Sequence, residues 1–206
     1  MAVRERDPAR TRRTVLDAAT RVVAEKGAGV SIDTIARAAG VSKGGLLHHF
    51  RSRDELILAL AEDMLEQFAA MVHAAVDPAD RAEGRLLRGY VRASFDAIRD
   101  ETSPAEHVAM TAAVVNVPGV SELMRRDKQR WEEFFAADGL DLQRILVIQR
   151  ATDGASIAGL YEGGHQHQEL AYMRELLLAM TYASTPFADV QQPADWSWPS
   201  VSTDVE

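Results

Sequence analysis

Apolar residues recur along most of this chain at intervals of three and four, the spacing that gathers them on one face of an α-helix. Val15, Ala18, Ala19, Val22 and Val23 stripe a first helix, opened by Arg10, Arg12 and Arg13 and closed by Lys26 and Gly27. A cation in the last turn with glycine beyond it suits a helix end, where the carbonyls are unpaired and the backbone turns left-handed. Ile32, Ile35, Ala36 and Ala39 stripe a second, short helix with Ser31 as its N-cap. Gly40 ends it, because glycine turns a sharp corner without a Cβ penalty. Ser42 caps a third helix. Val41, Leu46 and Phe50 supply its inward contacts, and Ala36 is small enough for the two helices to cross closely. Ser52-Arg53-Asp54-Glu55 is a capping box that starts a fourth helix. Its apolar positions, Leu56, Leu60, Met64, Phe68, Met71, Val72 and Ala75, run to Asp77-Pro78. That helix is roughly 23 residues and 35 Å long, a rod that leaves the small amino-terminal head and enters the rest of the chain.

Five more helices follow. Leu87, Val91, Ser94, Phe95 and Ile98 stripe the first of them. Ser103-Pro104-Ala105-Glu106 is a second capping box with proline at the favoured first position, continued by Val108, Met110, Thr111, Val114 and Val115 and broken at Pro118-Gly119. Leu123, Met124, Trp131, Phe134 and Phe135 mark the next, which ends at Gly139. The last two span about 141–161 and 168–184. Ala151, Ala155, Ala158 and Gly159 lie nearly in line on one of them and let another helix approach closely; Leu170, Met173, Leu176, Leu177 and Met180 stripe the other. Two such helices joined by a short loop can pair with their symmetry copies as a four-helix interface, or close a monomeric core; because a helix-turn-helix head usually needs two half-sites, a homodimer is expected. The fold class expected is all-α, about nine helices. A helix-turn-helix domain over 1–53 precedes a ligand-binding and dimerisation domain over 54–185. A disordered tail is expected over 186–206, where Pro193 and Pro199 break a polar, aperiodic stretch.

Charge sharpens this division. The whole chain carries −8, yet residues 1–53 hold 11 Lys and Arg against 5 Asp and Glu, a net +6, and the remainder holds 12 against 26, a net −14. A basic head neutralises phosphates, and an acidic body is repelled by DNA, which confines contact to one end. There is no cysteine, so disulfides and thiolate metal sites are excluded and a reducing cytoplasm is the expected location. No apolar run reaches the roughly 18 residues of a membrane span, and the Arg-rich start lacks the apolar core of a signal peptide. No membrane partner is expected.

Two short helices at a glycine corner are the layout of a helix-turn-helix unit, whose second helix enters the DNA major groove. Ser42, Lys43, His48 and His49 on that helix are donors suited to phosphate, with Arg51 and Arg53 directly after them. The main rival is an enzyme. Glu162 and His165, with His167 and Glu169 nearby, have a di-iron spacing, but that chemistry needs the motif twice on uninterrupted helices. Here it occurs once and Gly163-Gly164 breaks the helix, so a polar loop is the expectation, with no metal, no cofactor and no catalytic residue. No phosphate-cradling loop and no nucleophile motif appears. A DNA-binding protein that responds to no effector is the other alternative. It has no need of a body in which Met64, Phe68, Met71, Phe95, Met110, Trp131, Phe134 and Phe135 line an apolar cavity with His107 as its polar point.

The run Ile35-Ala36-Arg37-Ala38-Ala39-Gly40-Val41-Ser42-Lys43-Gly44, followed by Leu46, His49-Phe50, Ser52-Arg53 and Leu56, resembles the amino-terminal domain of the TetR family of transcriptional regulators over about residues 10 to 60. The resemblance implies a dimeric, one-component repressor whose heads bind a palindromic operator in double-stranded DNA. An unknown small-molecule effector enters the body, moves the fourth helix and spreads the heads. By position, Ser31, Ser42, Lys43, Gly44, Gly45, His48 and His49 would meet bases or phosphates, and Arg53 takes a phosphate-facing place usually held by lysine. Two residues depart from the pattern: Gly45 stands where threonine is common, and Leu47 where an aromatic, usually tyrosine, contacts the backbone. Each removes a hydroxyl. The Gly44-Gly45 pair also lowers helix propensity by about 1 kcal/mol per residue, which shifts more of the contact to His48 and His49.

Overall fold

The computed structural model describes residues 8–27, 29–99, 117–162 and 167–183, and among them the chain is all-α, with eight helices and no strand. They are α1 (Pro8–Lys26), α2 (Ile32–Ala38), α3 (Lys43–His49), α4 (Arg53–Ala74), α5 (Arg85–Arg99), α6 (Val120–Ala137), α7 (Leu142–Glu162) and α8 (His167–Met180). The further helix expected between 103 and 117 lies outside the described residues, apart from its end, as does the expected tail.

The starts of α2, α3 and α4 each rest on a serine. The Ser31 hydroxyl accepts from the Thr34 amide at 3.2 Å, Ser42 from Gly45 at 3.0 Å, and Ser52 from Glu55 at 3.0 Å. Amides in a helix's first turn lack a carbonyl partner four residues back, so each cap serves an otherwise poorly satisfied donor; the Thr34 amide also donates to the Ser31 carbonyl at 3.0 Å. At the fourth helix the Glu55 carboxylate reaches back to the amide of Arg51 at 2.8 Å, one residue before the one a capping box usually engages. Between α2 and α3, the Val41 amide donates to Ala36 and the Gly40 amide to Arg37. This is a Schellman closure, which requires a left-handed residue at its hinge, and Gly40 supplies φ +66°.

Packing divides the described residues into two compact units: one holds those up to Glu66 together with Val117 to Leu123, the other Gln67 to Arg99 and Met124 onward. The sequence boundary expected at 53/54 thus falls earlier than the packing boundary, because Leu56, Ile57, Leu60 and Ala61 of α4 are buried against α1, α2 and α3 residues. In the first unit the core is Val15, Leu16, Ala19, Val22 and Val23 of α1 with Ile35 and Ala36 of α2, Leu46 of α3 and Phe50. Arg13 of α1 bonds Asp17 one turn on and Asp63 of α4 at 2.6 Å. The bond Arg13 donates to Asp17, reinforced by the negative charges of Asp63 and Asp17, raises the affinity of the guanidinium for its proton.

The second unit centres on Val72, Leu87, Tyr90, Val91, Phe95, Trp131, Phe135, Ile145, Ile148 and Leu177. Two devices hold it that no apolar stripe discloses. The side chain of Asp138, just past α6, accepts from the amides of Leu86 at 2.6 Å and Leu87 at 3.3 Å, capping α5 from 52 residues away. Burial raises the Asp138 pKa, opposed by those two amide bonds. Arg88 of α5 is fully buried. It meets Asp80 through two nitrogens, at 2.6 and 2.9 Å, the carbonyls of Ala82 and Glu83 at 3.0 and 2.8 Å, and the Thr181 hydroxyl at 3.1 Å. All five guanidinium donors are used. The ring of Tyr182 covers the group at 4.3 Å.

Candidate nucleic-acid interface

The two apolar anchors of α3 decide which way its other side chains face. Leu46 is fully buried and Phe50 nearly so, four residues apart and one above the other. At about 100° per residue, positions 44 and 48 then point almost directly away from the core. The observed exposures follow: Ser42, Lys43, Gly44 and His48 are exposed, while Gly45, Leu47 and His49 are half-buried. Ser31, Asp33 and Arg37 are exposed on α2. The outer surface of this helix pair is therefore short-chained and polar, with two cations and two imidazoles. The His48 and His49 rings meet edge to face at 5.5 Å.

Not every candidate donor stands idle. Lys43 Nζ lies 3.0 Å from Asp33 Oδ2, an exposed ion pair across the corner. Arg53 is half-buried; its Nε donates to the Val30 carbonyl at 3.2 Å, and its guanidinium lies 3.7 Å from Asp54. That bond ties the start of α4 to the strap before α2. Of the arginines that open α1, Arg13 is committed to Asp17 and Asp63, and Arg12 lies 5.1 Å over the ring of Phe50. A Cβ added at Gly44 would meet nothing within 4 Å, whereas one at Gly45 would come 3.2 Å from the Ser42 hydroxyl that caps the helix. The threonine common at position 45 would thus crowd this cap.

The residues proposed to line a cavity are divided between the units. Met64 packs on the first core. Phe68, Phe95, Trp131 and Phe135 belong to the second, while Met71 and Phe134 are exposed there; His107 and Met110 lie outside the described residues. Tyr90, which sequence reasoning passed over, is the hub of the aromatic group: its ring is 5.4 Å from each of Phe68, Trp131 and Phe135. Its hydroxyl donates to Asp153 at 2.6 Å, and burial, helped by that carboxylate, drives the Tyr90 pKa far upward, so the phenol keeps its proton. The signal was available, since Tyr90 stands three after Leu87 and four before Ser94. Nearby, burial raises the Asp127 pKa against the pull of Arg130.

On the last two helices, Ala155 and Leu177 are buried in the chain's own core, and Ala151, Ala158, Leu170, Met173 and Met180 are half-buried. Gly159 is helical. The outward apolar positions are Val147 and Ile157 on α7, with Gly154 open between them, and on α8 Tyr172 and Leu176, the latter a member of the expected stripe. Glu162 ends α7, and the partner it would need, His165, lies outside the described residues. Among the described residues no group of three His, Asp or Glu is placed to hold a metal ion, and no helix is long and apolar enough to cross a membrane.

Residues 15–60 match the model of the bacterial regulatory proteins of the tetR family, and residues 84–182 match that of a Tetracyclin repressor-like C-terminal domain. The chain belongs to the TetR family. A helix-turn-helix-type transcriptional repressor of Mycobacterium tuberculosis is 41% identical over 61 residues, 29% of this TetR chain and 33% of that protein. The regulator BetI of Rhizobium meliloti is 34% identical over 120 residues, 56% of this chain and 55% of its own. The chain thus spans a third to about half of the length of these curated relatives. Solved structures match more fully. A TetR-family member from Streptomyces coelicolor A3 aligns with a TM-score of 0.66 and 25% identity, over 84% of this chain and 99% of its own. The multidrug binding protein EbrR, solved with malachite green, aligns at 0.64 and 25%, over 84% and 98%.

Proposed function

We propose that this protein is a transcriptional repressor that binds a palindromic operator as a homodimer and is released by a small-molecule effector. The observation that carries the DNA-binding half is α3 itself. A Schellman corner and a serine cap fix it, Leu46 and Phe50 seat it, and Ser42, Lys43, Gly44 and His48 face outward on a head of net charge +6. Phosphate contacts from this face position the head, and side chains on the groove side read bases. In this reading residues 1–53 are the DNA-binding domain and 54–185 the effector and dimerisation domain, and the chain is no enzyme.

The dimer half rests on the apolar line of Val147, Gly154 and Ile157 with Tyr172 and Leu176. These residues are exposed on two helices, outside the chain's own core. A second copy seated there buries large apolar side chains and joins two heads in one molecule, as a two-half-site operator requires. For the effector, the aromatic group around Tyr90 and Trp131, within an acidic unit, supports a ligand with an aromatic body; the EbrR complex with malachite green supports the same class. Helix α4 carries residues of both cores and is the proposed route from ligand to head.

Selection from a random duplex pool, followed by fluorescence anisotropy across a salt series, tests the reading. The expected result is a palindromic consensus, two chains per duplex, and affinity that falls steeply with salt. Malachite green is the first effector probe: it is expected to raise the melting temperature and release the duplex. Salt-independent binding, or no selected consensus, would overturn the DNA reading, and stabilisation without release would overturn the coupling.

A further inference from the structure

We propose that Asp33 is a built-in counter-charge that occupies Lys43 until a DNA phosphate replaces it, and that this exchange sets how strongly the protein rejects non-operator DNA. The inference rests on the DNA-binding reading above and adds a specificity residue to it. Between Ser31 and Phe50, the whole of the helix-turn-helix unit, Asp33 is the one acid, set against Arg37 and Lys43 as the cations. It lies between them. Its carboxylate is 3.0 Å from Lys43 Nζ across the corner, and its backbone carbonyl accepts from Arg37 Nε at 3.3 Å one turn on. Both members of the ion pair are more than half exposed, at 57% and 54%. They occupy the proposed DNA-facing surface itself, where an acid opposes every phosphate that approaches.

An exposed ion pair of this kind is weak, so a phosphate can replace the carboxylate without a large barrier. The replacement still has consequences that depend on the DNA. Non-operator binding consists almost entirely of phosphate neutralisation. There, opening the pair is opposed by Asp33 and offset only by the phosphate contact itself. On the operator, base contacts from the same helix hold the head in register and keep Lys43 on its phosphate, so the presence of Asp33 matters less. The carboxylate thus penalises the wrong duplex more than the right one, a repulsive element of the kind specificity commonly requires.

The test is a cycle of Asp33→Asn and Lys43→Ala, alone and together. Affinity for selected operator and for a scrambled duplex of equal length is measured by anisotropy between low and physiological salt, with circular dichroism to show that each variant folds. Asp33→Asn is expected to tighten the scrambled duplex by about two- to fivefold, the range of an exposed ion pair, and the operator by less. Its salt dependence should steepen by about one phosphate's worth, a slope change near −0.9. With Lys43→Ala already present, Asp33→Asn should change the slope little, and Asp33→Glu, which keeps the charge, should keep wild-type discrimination. The inference falls if Asp33→Asn leaves both affinities and the slope unchanged, if it acts equally with and without Lys43, or if it weakens the operator alone, which would make Asp33 a reader of bases. Wild-type protein that binds no duplex would overturn the DNA reading first, and this inference with it.

Discussion

Replacing Arg88 with methionine should remove a large part of the stability of the second unit, because the guanidinium is buried with every donor in use. The substitution keeps the apolar stem and takes away five hydrogen bonds. It leaves the Asp80 carboxylate, only 9% exposed, without its cation, and the carbonyls of Ala82 and Glu83 without theirs. Breaking a buried pair from one side costs about 3–5 kcal/mol, chiefly because the remaining charge is stranded. Against a total stability on the order of 5–15 kcal/mol that loss is severe. If stranding is the cause, Arg88→Met combined with Asp80→Asn should be less damaging than the sum of the single losses by about 1–3 kcal/mol. The assay is urea denaturation followed by circular dichroism and tryptophan fluorescence. The hydrogen bonds from Arg88 hold the Asp80 pKa below the ordinary carboxylate value, so the proton-free form is favoured in the folded state. The pair's contribution is therefore complete above the unfolded value of about 3.9 and is lost as pH falls through the lower, folded one. Asp80→Asn should flatten that acid limb. An Arg88→Met variant that loses less than about 1 kcal/mol, or a double variant as damaging as the two losses added, would refute the reasoning.

Gly89→Ala should destabilise by about 1–3 kcal/mol or more, since its Cβ would stand 2.8 Å from the Val72 carbonyl oxygen and 2.7 Å from a Val76 methyl, and backbone cannot retreat as a side chain can; thermal denaturation measures it. Gly40→Ala meets open space but must hold φ +66°, so a loss of roughly 1–2 kcal/mol is expected from the left-handed conformation alone, with Gly40→Asn recovering part of it. Ile157→Glu with Leu176→Glu should leave the helix content intact and halve the mass seen by sedimentation; a mass unchanged from wild type would move the self-association surface elsewhere.

What was legible in the sequence was local. The serine caps, the Gly40 corner and the inward line of Leu46 and Phe50 are decided within four or five residues of one another, and α2, α3 and α4 begin within about one residue of where those signals place them. The stripes of α1 and α5 were legible for the same reason: Val15, Ala19, Val22, Leu87, Val91 and Phe95 are all buried. Arg88 was missed because the stripe reading treats a charge as an outward residue, and nothing nearby in the sequence announces Thr181, 93 positions away. Asp138 was missed likewise, since its service as a cap to α5 depends on a turn that only the folded chain brings there.

The last two helices show what such reading leaves open. Periodicity says that a face is apolar, but not whose atoms will cover it. Ala155 and Leu177 satisfy the pattern of a close-packed interface and are covered by the chain's own α5 side of the core, whereas Ile157, two residues on, and Leu176, one residue before, are the ones left facing water. A rotation of one or two residues, about 100° to 200° round the helix, separates an internal contact from an external one. That difference bears directly on mechanism: substitution at Leu177 would unfold the unit that presents the surface, while substitution at Leu176 would remove the surface from a folded unit. Only the second can separate self-association from stability, and so only the outward line offers a clean test of whether two heads must be joined to hold one operator.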